Sequence, residues 1–290
     1  MKLGQPRPQV KRARNPTQRF SDRKFTQLLN LTTNRISAAE LRRPALVFSP
    51  HPDDESLGCG GIILKKKAVG ATVRLVHMTD GSAATHGNLI SQEELGVMRR
   101  QEAVNAACVL GVDPDEIHFL EYKDGRLAQY FDSATERVTE ILRDESPQEV
   151  FVPCRAEPVY QAADHIATTQ IVLAALAKCG RRITVWEYPI WFWLHWPWVG
   201  IRQGRLPIVS TGAVLRNTFN ALFGAHLLMN LRYCVDITEV LQKKRIAIRQ
   251  HRSQIERLFP CPEWLVLGDI ARGEFLGRFY ETCEFFGRYE

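Results

Sequence analysis

The run Ser49-Pro50-His51-Pro52-Asp53-Asp54-Glu55 places one imidazole and three carboxylates within five residues. A hydrolytic zinc site needs about three protein ligands of the His/Asp/Glu type and one open position for water. The metal lowers the pKa of that water towards ~7, and a neighbouring carboxylate can take the remaining proton. Adjacent Asp53 and Asp54 suit such a division, one ligating and the other facing the water as general base. The same run also reads as an acidic turn opening a helix, where Asp and Glu are favoured. A second candidate pair, Asp164-His165, stands at the start of a helical pattern. A lone histidine there is more often a capping or surface residue than a ligand.

The elements around these residues decide whether they can meet. Ala45 to Ser49 is a short apolar run of the length of a buried strand. Gly58, Gly60 and Gly61 lead into a helical stretch over Ile62 to Ala68, and Thr72 to Met78 reads as a second strand ending at the turn Thr79-Asp80-Gly81. Glu93 to Leu110 is helical, with Gly111 placed to end it. Strand patterns recur at 117–120, 149–153 and 183–188, with helices at 133–143 and 165–178 between them. Such alternation predicts an α/β fold: a Rossmann-like, mostly parallel sheet with helices on both faces. Ligands bind beyond the carboxyl ends of such strands. His51 to Asp54, Thr79 to Gly81 and the loop from Pro153 to His165 all fall at such ends, so the sheet would bring them together. Thr238 to Phe259 is strongly helical and reads as a C-terminal cap on a single domain spanning 44–290.

Pro50-His51-Pro52-Asp53-Asp54-Glu55 resembles the signature of the PIG-L/LmbE-like N-deacetylases, zinc hydrolases that deacylate N-acetylglucosaminyl lipids, pseudo-disaccharides and related amino sugars. The likeness continues through Gly60-Gly61, Thr79-Asp80-Gly81, Arg99 to Ala103, Asp124, Asp164-His165 and a late run of Lys244, Ala247, His251, Ser253 and Gln254. The resemblance implies zinc (or another divalent metal) on His51, Asp54 and His165, and Asp53 as general base. It also implies Asp164 orienting an imidazole, and Arg99 and Glu102 as structural or pocket-wall residues. One position departs from it. Many members carry His-Pro-Asp-His where this chain has Ala162-Ala163-Asp164-His165, and the first His of that motif is assigned to the oxyanion. Losing an oxyanion donor typically costs ~100–1000-fold in rate. Arg155, Tyr160, His195 and His251 are the candidate substitutes, and a weak or inactive glycoconjugate-binding member is the alternative reading.

The remaining features narrow the class. The net charge of +6 is concentrated in residues 1–44, where eleven Lys/Arg face only Asp22 and Glu40. Residues 1–43 are therefore expected to be a basic, partly disordered arm. An arm touching anionic lipid or nucleic acid, or a targeting peptide, is the alternative. Seven scattered Cys without a CxxC pair point to reduced thiols and a cytoplasmic setting. No run of ~18 uncharged apolar residues suggests a membrane span. Five of the six Trp fall between Trp186 and Trp198, and three readings stand: a core cluster, a sugar-stacking wall, or an interfacial membrane contact. The expected partner is an amino sugar or glycolipid, with peripheral membrane contact as a variant and nucleic acid not expected. Gly58-Cys59-Gly60-Gly61 does not give GxGxxG, and the two Asp before it would repel a pyrophosphate, which argues against a dinucleotide site.

Overall fold

The computed structural model describes residues 24, 26–83, 89–155, 157, 163–194, 230–259 and 261–289. In chain order the elements are β1 (Asn34–Arg35), α1 (Ala38–Leu41), β2 (Ala45–Ser49), α2 (Asp54–Ala68), β3 (Val73–Thr79), α3 (Gln92–Leu110) and β4 (Ile117–Tyr122). There follow α4 (Phe131–Glu145), β5 (Glu149–Pro153), α5 (Ala163–Cys179) and β6 (Thr184–Tyr188). The chain closes with β7 (Tyr233–Asp236), α6 (Leu241–Gln250), α7 (Arg252–Ile255), α8 (Glu274–Arg278) and β8 (Cys283–Tyr289).

The strands form one sheet in the order β1-β7-β8-β6-β5-β2-β3-β4. Pairing is parallel from β6 through β5, β2 and β3 to β4, and β8 runs antiparallel to both β6 and β7. The sheet is thus mixed but mostly parallel. β2 pairs with β3 on one side and β5 on the other, so the chain order reverses beside it. That reversal opens a crevice at the carboxyl ends of β2 and β5, where His51 and the first turn of α5 lie.

Alternate residues of β2 feed two cores, as the two-residue strand period requires. Ala45 and Val47 join Leu57, Ile62, Ala107 and Leu110 on the face covered by α2 and α3; Leu46 and Phe48 join Val138, Leu142, Ile171 and Val172 under α4 and α5. Each fully buried aliphatic side chain is worth roughly 1.5–3 kcal/mol, and all five β2 residues are buried. α3 begins with a Ser91–Glu94 capping box and ends at Gly111 in the left-handed conformation (φ 84°).

Three features differ from the sequence reading. α2 starts at Asp54 and carries Gly58, Gly60 and Gly61 inside it. The glycines make room for neighbours, since a Cβ on Gly58 would overlap the Tyr188 ring and one on Gly61 would overlap Ile237. Residues 34–43, assigned to the arm by composition, are folded. Asn34–Arg35 pairs with β7, and Leu29 and Ile36 lie in the core. The helical pattern from Thr238 is two helices interrupted at His251. Residues 1–23 of the basic arm lie outside the described residues. No described helix is long and apolar enough to cross a membrane.

Candidate metal centre

β2 delivers His51 to the crevice, and the next turn brings Asp54 into the first residue of α2. Asp54 Oδ2 lies 3.2 Å from His51 Nδ1 and 3.3 Å from His165 Nε2, which the first turn of α5 supplies from beyond β5. Ligand atoms ~2.0–2.1 Å from a tetrahedral zinc stand roughly 3.3 Å apart, so these two separations are compatible with a shared metal. His165 Nε2 is buried and has no hydrogen-bond partner among the described residues, which leaves it a lone pair for a cation. The donors fit a divalent metal, and all three lie within 4.8 Å of one another.

The outer nitrogen of each histidine meets carboxylates. His51 Nε2 lies 3.2 Å from Asp124 Oδ1 and 3.5 Å from Asp164 Oδ2. His51, Asp124 and Asp164 also lie close enough to hold a metal, but backbone amides already engage both carboxylates. Gly125 N–H and Leu127 N–H donate to Asp164 at 2.6 and 3.1 Å, and Ala83 N–H donates to Asp124 at 2.9 Å. That arrangement suits orientation of the His51 ring more than ligation. His165 Nδ1 lies 2.9 Å from Glu157 Oε2, and the other oxygen of Glu157 accepts from the amides of Ile190 and Trp191.

Asp53 sits beside the cluster in an unusual backbone conformation, φ 144° and ψ −29°. For a residue with a Cβ this costs on the order of 1–3 kcal/mol, and it persists only where surroundings enforce it. The Asp53 N–H donates to Glu55 Oε2 at 3.0 Å, and Arg99 Nη2 lies 3.3 Å from Asp53 Oδ2. The buried Arg99 also donates to the carbonyls of Gly81 and Pro52 at 2.7 and 2.6 Å.

The electrostatics follow from this crowding. Burial pushes the Asp53 carboxyl up to about 6; Arg99 opposes that and Asp54 adds to it. Burial would depress His51, but Asp124, Asp164 and Asp54 outweigh it and raise its pKa well above the ordinary value. His165 is raised despite burial by Asp54 and Glu157. Against its burial, Asp54 is lowered by the two imidazoles. Protons and a divalent cation would therefore compete for the same imidazole nitrogens.

The four residues singled out by sequence, His51, Asp53, Asp54 and His165, come together here. Of the candidate substitutes for an oxyanion donor, Arg155 is paired with Glu187, and His251 is buried against Glu55. Tyr160, His195 and Ala162 lie outside the described residues. Trp186 and Trp193 are core residues, whereas Trp191 stacks on Phe275 with its ring 6.3 Å from His165. Trp196 and Trp198 lie outside the described residues. Glu157 escaped the sequence reading because nothing in its spacing ties it to His165. Asp124 carried one signal, its place just past a strand.

A family model described as "PIG-L: GlcNAc-PI de-N-acetylase" matches residues 46–176. The chain is 26% identical over 227 residues to a diacetylchitobiose deacetylase of Thermococcus kodakarensis, covering 77% of this chain and 72% of that protein. It is 27% identical over 269 residues to a 1D-myo-inositol 2-acetamido-2-deoxy-alpha-D-glucopyranoside deacetylase of Nocardia farcinica, covering 78% and 85%. The fold is shared with the structure of an N,N'-diacetylchitobiose deacetylase from Pyrococcus horikoshii, at a TM-score of 0.62 and 24% identity over 97% of this chain and 95% of that one.

Proposed function

The chain belongs to the PIG-L/LmbE-like deacetylase family, and from that membership we propose that it hydrolyses the N-acyl amide, an N-acetyl group, of an amino sugar or glycoconjugate. The observation that carries this reading is Asp54 Oδ2 standing between His51 Nδ1 and His165 Nε2, with Asp53 next in the chain. His51, Asp54 and His165 would hold zinc, which when bound supplies Lewis-acid polarisation and a water of pKa near ~7.

The residues of the chain do the rest. Asp53 takes the proton from the attacking water as its oxygen bonds to the amide carbon, and returns that proton to the leaving nitrogen as the C–N bond breaks. The products are acetate and a free amine. Asp124 and Asp164 fix the His51 ring, Glu157 fixes His165, and Arg99 aims Asp53. Seven scattered cysteines without a CxxC pair support a cytoplasmic setting, and the substrate is a small glycoconjugate in place of nucleic acid.

Replacing Asp53 with Ala tests the assignment. Deacylation of N-acetylglucosaminyl substrates should fall by about 1000-fold or more while metal content, measured by elemental analysis, stays at the wild-type value. Full activity in that variant would sink it. Ala162, where many members carry His, favours a second reading: a weak or inactive glycoconjugate binder. Sugar binding without acetate release across a broad panel of substrates would favour that one.

A further inference from the structure

Behind the metal cluster lies a second buried polar group that the hydrolytic scheme leaves unused. Glu55 is fully buried at its centre. Its Oε2 accepts from the Asp53 N–H at 3.0 Å and from Ser49 Oγ at 3.3 Å. Its Oε1 accepts from Ser56 Oγ at 2.6 Å and lies 3.0 Å from His251 Nε2. Ser49 Oγ also donates to the His51 carbonyl at 2.5 Å.

His251 comes from the far end of the chain, at the break between α6 and α7. The next turn is tied down independently: Glu102 on α3 accepts from both the amide and the hydroxyl of Ser253, each at 2.7 Å. Trp264 Nε1 donates to the Ser253 carbonyl at 3.0 Å. The break at His251 is therefore fixed in place, and the imidazole it presents is held against Glu55.

We propose that Glu55, itself set by His251, is a positioning residue that clamps the Asp53 amide and thereby holds the Asp53 carboxylate beside the metal cluster. The reason is conformational. Asp53 adopts a φ of 144°, which a residue with a Cβ does not keep unaided. Three bonds pin the peptides on either side of that torsion: the Asp53 amide donates to Glu55 at 3.0 Å, Arg99 donates to the Pro52 carbonyl of the same peptide at 2.6 Å, and Leu57 N–H donates to the Asp53 carbonyl at 3.0 Å, so Glu55 supplies the tie on the amide itself. A carboxylate with two free oxygens would rotate. His251 and Ser56 hold one oxygen so that the other faces Asp53. The C-terminal helices thus do more than cover the sheet, since they complete the support of a residue nearly two hundred positions earlier in the chain.

The inference rests on Asp53 being the general base, so its test includes a readout that does not depend on activity. Pro50 and Pro52 have no amide hydrogen. A peptide from Pro50 to Asp54 therefore reports exchange at His51, Asp53 and Asp54 alone, and fragmentation resolves Asp53. In full-length metal-loaded protein, Glu55→Gln and His251→Ala should each speed exchange at Asp53 by about tenfold or more. Each should also lower kcat by about 10- to 100-fold, with KM within about threefold and metal content unchanged. His251→Gln, which keeps a donor towards Glu55, should restore both readings to within about threefold of wild type.

Wild-type exchange at Asp53 in a folded Glu55→Gln protein would overturn the proposal. So would equal losses in His251→Ala and His251→Gln, or a kcat loss that merely follows lost metal. If Glu55→Gln does not fold, the two His251 variants decide. If the wild type deacylates no substrate, the functional reading fails while exchange at Asp53 still tests the clamp.

Discussion

Glu157 Oε2 lies 2.9 Å from Nδ1 of His165, while the opposite ring nitrogen, Nε2, lies 3.3 Å from Asp54 Oδ2. The imidazole is thus held between a carboxylate that orients it and a carboxylate that shares its prospective metal. A carboxylate beside Nδ1 favours the tautomer protonated there, which in the neutral ring leaves the Nε2 lone pair for the cation.

Glu157→Gln removes the charge behind His165 but keeps an oxygen for the amides of Ile190 and Trp191. Zinc affinity should fall by about 10- to 100-fold, as measured by competition with a chromophoric chelator. Removing the metal from wild type and variant should bring their thermal midpoints closer together. Unchanged affinity would mean that Glu157 serves only the loop to Trp191.

The pH dependence of stability has a separable component in His77. It is fully buried on β3, stacked on Phe119 at 4.9 Å, and neither ring nitrogen has a hydrogen-bond partner among the described residues. Burial lowers its pKa from 6.5 to about 4, against the pull of Glu55. Below pH 6.5 the unfolded chain takes up the proton first, so stability falls as pH drops from 6.5 towards 4. Between pH 7.5 and pH 5 this amounts to about 2 kcal/mol. His77→Phe should not show this component. Urea unfolding of metal-free wild type and variant at the two pH values checks it, and parallel losses in both proteins would refute it.

What could be read from the sequence divides along the range of the interactions. β2, β3 and β5 are apolar runs whose burial on both faces is written in their own residues, and the His51–Asp54 turn is local to one of them. α2 was misplaced because Gly58-Cys59-Gly60-Gly61 reads as a helix breaker until Tyr188, Ile237 and Glu284 are seen to need the space. β7 and β8 gave no signal, since their pairing depends on strands far away in the chain. Glu157 is illegible as a site residue for the same reason, and His251, a candidate from the sequence, cannot be tied to Glu55 there: each acts through one contact that only the folded crossovers create.

The glycines of α2 carry a prediction of their own. Gly61 N–H and Ile62 N–H donate to the two oxygens of Glu284 at 2.6 and 2.8 Å, and Lys244 Nζ donates to Glu284 Oε1 at 2.7 Å. A Cβ on Gly61 would overlap Ile237 and stand 2.8 Å from Glu284 Oε1. Gly61→Ala should therefore destabilise by about 1–3 kcal/mol or more, despite the better helix propensity of alanine. Gly60→Ala meets only the flexible Lys244 side chain, at 3.0 Å, and should cost less. Chemical denaturation of the two variants gives the comparison, and an unchanged Gly61→Ala midpoint would show that α2 can shift away from β8.

Arg99 separates positioning from binding. Its guanidinium joins the Gly81 carbonyl, the Pro52 carbonyl and the Asp53 carboxylate, so it ties the loops after β2 and β3 together at the base. A lysine offers one ammonium on a flexible stem and cannot span acceptors on both loops. Arg99→Lys should leave at least one buried carbonyl unpaired, at about 1–3 kcal/mol of stability. It should also lower kcat by about 10- to 100-fold through displacement of Asp53, with KM within about threefold. Because only 4% of Arg99 is exposed, a substrate has little of it to touch. Steady-state kinetics on an N-acetylglucosaminyl substrate decide the matter: a raised KM at unchanged kcat would mean that Arg99 holds the sugar, and a lowered kcat at unchanged KM that it holds Asp53.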